Sequence, residues 1–79
     1  MALVRLFAGA REAAGTARDT VPGATVDAVL DAARARYGAD FVTVLERCRV
    51  WLNGEPAVGS EAVGDDDEVA VLPPVSGGS

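Results

Sequence analysis

Residues 65–78 read DDDEVAVLPPVSGG and join an acidic turn to a short apolar run, two prolines and a glycine-containing tail. The apolar residues 69–72 predict a strand, and the acidic residues before them favour a solvated turn. Pro73 and Pro74 end the strand because proline has no backbone N–H to donate to a sheet. The stretch therefore predicts a last strand from which a tail projects.

Upstream, residues 47–54 read RCRVWLNG and alternate with period 2, which is typical of a strand with one buried face. Asn53-Gly54 is a strong hairpin signal, and Pro56 confines a short return strand, residues 55–58, to an edge of the sheet. The alternation predicts two faces, with Cys48, Val50 and Leu52 towards the core and Arg47, Arg49 and Trp51 away from it.

Residues 25–38 carry the clearest helix signal. Thr25 suits the N-cap, and Gly38 suits a left-handed cap at the C-terminal end. Apolar side chains recur at helical spacing and predict the buried face, formed by Val26, Val29, Leu30, Ala33 and Tyr37. Residues 41–46 predict one further helical turn.

The N-terminal third predicts two strands, residues 2–8 and 16–21, separated by a segment with one helical turn. The order strand, strand, helix, strand, short strand, strand places one helix across one face of a mixed sheet. We therefore predict an α+β fold of the β-grasp (ubiquitin-like) class, with four to five strands and one main helix packed on one face. Residues 1–75 would form the domain, and residues 76–79 a flexible C-terminal Gly-Gly tail with one extra residue.

The composition argues against several classes of function. The chain has 79 residues and a net charge of −5; it has no histidine, and its seven basic residues are all arginine. Scattered positive charge in an acidic chain disfavours nucleic-acid binding and favours a basic protein partner. The missing histidine and lysine remove the commonest general base and Schiff-base chemistry. Because so short a chain has little room for both a core and a deep pocket, we do not expect a self-contained enzyme.

The single cysteine, Cys48, is incompatible with an internal disulfide or a multi-cysteine metal site, and no metal site is expected. Its position on the predicted core face indicates packing. Neither a signal peptide nor an apolar run of membrane length is recognisable, so we expect a cytoplasmic protein with no membrane contact.

The stretch 65–78 resembles the C-terminus of the MoaD/ThiS family of ubiquitin-like sulfur carriers, which have an acidic turn, a hydrophobic strand, Pro-Pro-Val and a terminal Gly-Gly. Residues 6–15, LFAGAREAAG, are similar to the family's first strand and following loop, and Asn53 stands where these proteins carry an asparagine. The segment PPVSGG is most similar to the small subunit of molybdopterin synthase. Asp66 replaces a glycine that is usual in the family's turn. Because aspartate tolerates a left-handed backbone better than most residues, we expect the fold to accommodate it.

The resemblance implies a carrier whose partners supply the catalysis. A ubiquitin-activating-type adenylating enzyme would use ATP to attach AMP to the C-terminal glycine, and a sulfur donor would displace the AMP to leave a thiocarboxylate. Gly78 would carry the sulfur, with Gly77 beside it, because residues without Cβ can thread a narrow channel. The chain itself would bind no cofactor and would donate sulfur in molybdopterin (molybdenum cofactor) biosynthesis.

Ser79 departs from the family pattern, since carriers of this type work from a terminal glycine. It is native and trimmed before use, an artefact of cloning, or the mark of a protein that has lost activation. The first explanation adds a further expected partner, a peptidase that removes Ser79 and exposes the Gly78 carboxylate.

The resemblance also implies that partners dock on the sheet face opposite the helix. By alternation Trp51 lies on that face, and Phe7 and Leu72 are out of phase with the core residues of their own strands. Together they would form an apolar patch of the kind that marks an interaction site. The adenylating enzyme, and a large synthase subunit or other sulfur-accepting enzyme, would bind through Phe7, Trp51, Leu72, Pro73, Pro74 and Val75.

Two alternatives remain open. A carrier with the same tail chemistry could donate sulfur to the synthesis of cysteine, thiamin or a sulfur-containing natural product, because carriers for these pathways differ only in their partners. From another class, the chain could be a non-catalytic ubiquitin-like interaction module. A β-grasp RNA-binding domain is disfavoured by the charge.

Overall fold

A computed structural model of the chain describes residues 1–74. One mixed sheet holds five strands in the order β2-β1-β5-β3-β4. Strands β1 and β5 are parallel, and the other neighbours are antiparallel. The arrangement confirms the predicted α+β, β-grasp architecture. The elements in chain order are β1 Ala2–Leu6, α1 Ala8–Ala14, β2 Arg18–Val21, α2 Val26–Tyr37, α3 Ala39–Leu45, β3 Arg49–Leu52, β4 Glu55–Pro56 and β5 Glu68–Leu72.

The core lies between the sheet and the helices. Alternate strand residues point into it, so that Val4 and Leu6 of β1 and Val69 and Val71 of β5 are almost inaccessible to water. The helices contribute the facing layer, formed by Ala10, Val26, Val29, Leu30, Ala33, Phe41 and Leu45. The apolar face predicted for α2 is therefore confirmed, with Tyr37 half-buried at its end.

Helix α2 begins and ends where the sequence predicts. The Thr25 side chain accepts a hydrogen bond of 3.1 Å from the Ala28 backbone N–H, which satisfies one of the free donors of the first turn. Gly38 ends the helix as predicted, but with φ 94° and ψ −168° it lies outside the left-handed helical region expected for the cap. A residue with Cβ adopts this conformation only with strain. The cap and the glycine thus set the length of the helix.

A polar cluster fastens the last turn of α2 to β2. The Tyr37 hydroxyl donates a hydrogen bond of 2.7 Å to Asp19, and the Arg36 guanidinium donates one of 3.0 Å to the same oxygen. Burial and the adjacent carboxylate raise the pKa of Tyr37 to about 12, and the two hydrogen bonds lower the pKa of Asp19. The carboxylate therefore stays ionised at neutral pH.

Helices α1 and α3 are each seven residues long, so three helices cover the sheet where the sequence predicted one main helix and isolated turns. The β-branched run Val42-Thr43-Val44 lowers the helix propensity of α3. The helix forms nonetheless because Phe41 and Leu45, one turn apart, are both buried in the core. No helix within residues 1–74 is long and apolar enough to cross a membrane.

The fold accommodates Asp66 without a left-handed backbone at that position. Among residues 1–74, positive φ outside glycine occurs only at Ala8 (50°) and Asn53 (52°). The acidic turn is closed by other means: the Asp67 backbone N–H bonds to the Gly64 carbonyl at 3.1 Å, and the Asp67 side chain accepts the Gly64 N–H at 2.8 Å. A turn closed in this way places no stereochemical demand on Asp66, so a glycine is not needed there.

Candidate functional site

The sheet face opposite the helices, here called the outer face, carries the side chains predicted to bind partners. In the register of β3 and β5, Trp51 lies opposite Ala70 and Leu72 lies opposite Arg49. Phe7 follows β1, but its N–H still donates to a β5 carbonyl at 3.1 Å, which extends the parallel pairing by one residue. Phe7 therefore lies beside Leu72, and the two share the outer face with Trp51.

These apolar side chains are interspersed with arginine. Phe7 is 36% exposed, whereas Trp51 and Leu72 are half-buried. The Arg5 guanidinium lies 5.6 Å from the centre of the Phe7 ring, within the range of a cation–π contact. A shallow groove of about 380 Å³ follows the β3–β4 edge and is lined by Cys48, Arg49, Val50, Trp51, Pro56 and Ala57. The outer face is thus an apolar surface with positive charges set into it.

Asn53 fixes the start of β5, the strand that leads to the tail. Its side-chain amide donates to Asp67 at 3.0 Å, and its side-chain oxygen accepts the Glu68 backbone N–H at 2.9 Å. Asn53 and Gly54 form the predicted hairpin turn, and their φ angles of 52° and 87° are both positive, as in a type I′ turn. Hydrogen bonds from the Gly64 N–H and the Asn53 amide lower the pKa of Asp67. Asn53 therefore joins the β3–β4 hairpin to the acidic turn.

Replacing Asn53 by Ala is expected to lower the free energy of unfolding by about 1–3 kcal/mol, because two hydrogen bonds are lost and a left-handed backbone must hold a Cβ. Asn53→Gly loses the same hydrogen bonds without the backbone strain, and we expect a smaller loss. Urea denaturation of the two variants measures both contributions. An Ala variant as stable as the wild type would contradict this role for Asn53.

Asp67 closes the acidic turn, and this role could have been inferred from the sequence only because Asp67 lies three residues after Gly64, a spacing typical of a turn closed by aspartate. Cys48 is half-buried against the core, as the sequence predicts, and burial raises the pKa of its thiol. A raised pKa leaves little of the reactive thiolate at neutral pH.

Pro73 and Pro74 follow β5 directly and are exposed. They lie at the same end of the outer face as Leu72 and Phe7. The remaining predicted site residues, Val75, Gly77 and Gly78, lie outside the described residues, as does Ser79. The structure thus describes the part of the candidate site that extends from the outer face to Pro74.

Comparisons with known proteins agree with this geometry. The profile of the ThiS family matches residues 4–78. Small archaeal modifier protein 1 of Haloferax volcanii is 40% identical over an alignment of 84 positions, gaps included, which covers 94% of this chain and 97% of the modifier. The solution structure of small archaeal modifier protein 1 from Methanosarcina acetivorans has a TM-score of 0.82 at 33% identity and covers 98% of this chain and 95% of its own.

A Pyrococcus furiosus protein provisionally named molybdopterin converting factor, subunit 1, is similar over 94% of this chain and 97% of its own. Its TM-score is 0.77 and its sequence identity is 25%. The similarity to all three proteins extends over almost the whole chain. It therefore includes both the sheet and the strand that leads to the tail.

Proposed function

Because this chain belongs to the ThiS family of ubiquitin-like sulfur carriers, we propose that Gly78 becomes its sulfur-bearing end and that the sulfur is delivered to molybdopterin synthesis. The observation that carries the proposal is the extent of the family match, which runs through the tail and stops at Gly78. The similarity to the Pyrococcus furiosus protein, over nearly all of both chains, supports the molybdopterin branch.

The chemistry follows from the state of a terminal carboxylate. Its pKa is near 3.5, so it is ionised at neutral pH and is a poor electrophile. In the proposed sequence, the Gly78 carboxylate attacks the α-phosphorus of ATP on a partner enzyme and pyrophosphate leaves. A sulfur nucleophile then attacks the acyl adenylate, AMP leaves, and the thiocarboxylate remains. The chain contributes a reactive end and a docking surface.

The outer face and the tail are placed so that one partner can bind both at the same time. Leu72 ends β5, Phe7 lies beside it, and Pro73 and Pro74 follow at once. A partner that covers this end of the outer face therefore sits where the tail leaves the domain. We propose that the adenylating enzyme and the large synthase subunit both bind here, and that proline restricts the directions in which the tail can project.

The molybdopterin branch is tested with the thiocarboxylated form of a chain ending at Gly78, incubated with a molybdopterin synthase large subunit and the cyclic pterin precursor. We expect formation of the dithiolene product, and none with the same chain before thiocarboxylation. The absence of product, together with sulfur transfer to a cysteine or thiamin precursor in the presence of the corresponding enzyme, would contradict the molybdopterin role and leave the carrier function intact.

A second candidate function, protein modification, is favoured by the 40% identity to the Haloferax volcanii modifier. The same acyl adenylate would then react with a lysine amine of a target protein to form an isopeptide bond, and AMP would leave. Because the seven basic residues are all arginine, no side chain of this protein could accept a second copy. A modified lysine should therefore carry no second copy joined through a side chain, which mass spectrometry of conjugates isolated from cells would show.

A further inference from the structure

The outer face carries positive charge in a protein that is acidic as a whole. Strand register places three arginines on this face, Arg5, Arg18 and Arg49. Among the strand residues that the structure describes, the one carboxylate on the same face is Glu68. The face is therefore positive although the net charge of the chain is −5.

The fold itself does not account for this charge. Arg5 and Arg18 are directly opposite each other in the β1–β2 pair, and like charges at opposed positions destabilise a sheet. Arg5 is compensated by Glu68 at 3.7 Å and by the Phe7 ring. Arg18 and Arg49 are exposed, and neither takes part in an ion pair within residues 1–74. Two unpaired cations thus remain on the face.

These two cations lie on the strands to either side of Phe7 and Leu72. In the sheet order, β2 with Arg18 and β3 with Arg49 flank the central pair β1 and β5. Phe7 directly follows β1, and Leu72 is the last residue of β5. Three strand spacings separate β2 from β3, a distance of about 14 Å. The acidic turn, with Asp65, lies at the opposite end of β5 from Leu72.

We propose that the outer face docks on a protein surface whose apolar centre is flanked by carboxylates, which pair with Arg18 on one side and Arg49 on the other. The inference rests on the proposed function and defines the chemistry of the partner surface. It reverses the expectation that an acidic domain binds a basic partner, because the charges are segregated within the fold. Complementary charge of this kind acts mainly on the association rate and on the choice of partner.

The test uses charge reversal with a matched control. Arg18→Glu and Arg49→Glu change the outer face, and Arg34→Glu makes the same change of net charge on α2, in the helix layer. The probe is a ubiquitin-activating-type enzyme that thiocarboxylates the chain ending at Gly78, and binding is followed by biolayer interferometry. At low salt we expect each outer-face variant to bind roughly tenfold more weakly or worse, and Arg34→Glu to change affinity by less than about twofold.

Salt provides an independent measurement. High salt should lower the affinity of the wild type until it approaches that of a double Arg18→Gln, Arg49→Gln variant. The affinity of the double variant should itself change little with salt. Equal losses of affinity for all three charge reversals, or tighter binding of the outer-face variants, would overturn the inference. Thiocarboxylation of the wild-type chain in the same experiment would still support the carrier function. If the wild-type chain ending at Gly78 is neither bound nor thiocarboxylated by such enzymes, the proposed function fails and this inference fails with it.

Discussion

Replacing Trp51 by Glu is expected to abolish stable association with the adenylating enzyme and with the sulfur-accepting enzyme, while the domain stays folded. Trp51 is half-buried on the outer face opposite Ala70, within the surface proposed for docking. A glutamate there would lose its hydration on binding, which costs several kcal/mol without a compensating partner. Since each 1.4 kcal/mol is a factor of about ten, we expect affinity to fall by at least roughly 100-fold.

Phe7→Glu and Leu72→Glu should weaken binding in the same way. Ala35→Glu is the matched control, because it introduces the same charge at an exposed position on α2. Circular dichroism and thermal unfolding should show that all four variants are folded, and calorimetry with each partner measures the affinity. Wild-type affinity in all three outer-face variants would show that partners bind elsewhere.

The face on which Trp51 lies could be predicted from sequence because strand geometry fixes it. Side chains of a strand alternate whatever the neighbours are, so Val50 and Leu52 on the core side force Trp51 to the other side. The hairpin turn at Asn53 was predictable for a similar reason, since few dipeptides accept two positive φ angles. These features are local, and the structure confirms them.

Features that depend on distant residues could not be predicted. The β-branched run of α3 favours a strand locally, and only the burial of Phe41 and Leu45 in the finished core makes it helical. The bond of Tyr37 to Asp19 joins residues 18 positions apart, with no pattern in the sequence to indicate it. Likewise Arg5 and Arg18 become neighbours only through the pairing of β1 with β2, so the scattered arginines could not indicate a positive face.

The resemblance of the C-terminal stretch predicted the family correctly, but it did not indicate how the acidic turn is closed. Asp66 was expected to be tolerated in place of the usual glycine, and it is, because Asp67 and Gly64 close the turn without a left-handed residue at position 66. The family pattern thus identified the segment, but it did not predict the hydrogen bonds within it. The reacting end, Gly77 and Gly78, remains a prediction from the sequence.

The central claim is that sulfur is loaded on the carboxylate of Gly78. Any residue that follows Gly78 converts this carboxylate into an amide, which cannot receive AMP. Adenylation of Ser79 instead would move the reacting carbon by about 3.5 Å along the channel. Because a misplacement of 1 Å can cost roughly 10²-fold in rate, the longer chain should be inactive until it is trimmed.

The intact mass of defined chains tests this claim most directly. Chains ending at Gly77, Gly78 or Ser79 are incubated with the adenylating enzyme, ATP and sulfide. The chain ending at Gly78 should gain about 16 Da, as sulfur replaces one oxygen. The chain ending at Gly77 should react very slowly or not at all, and the chain ending at Ser79 should keep its mass unless a peptidase that removes Ser79 is added. Thiocarboxylation of the chain ending at Ser79 as fast as that of the chain ending at Gly78 would contradict the claim.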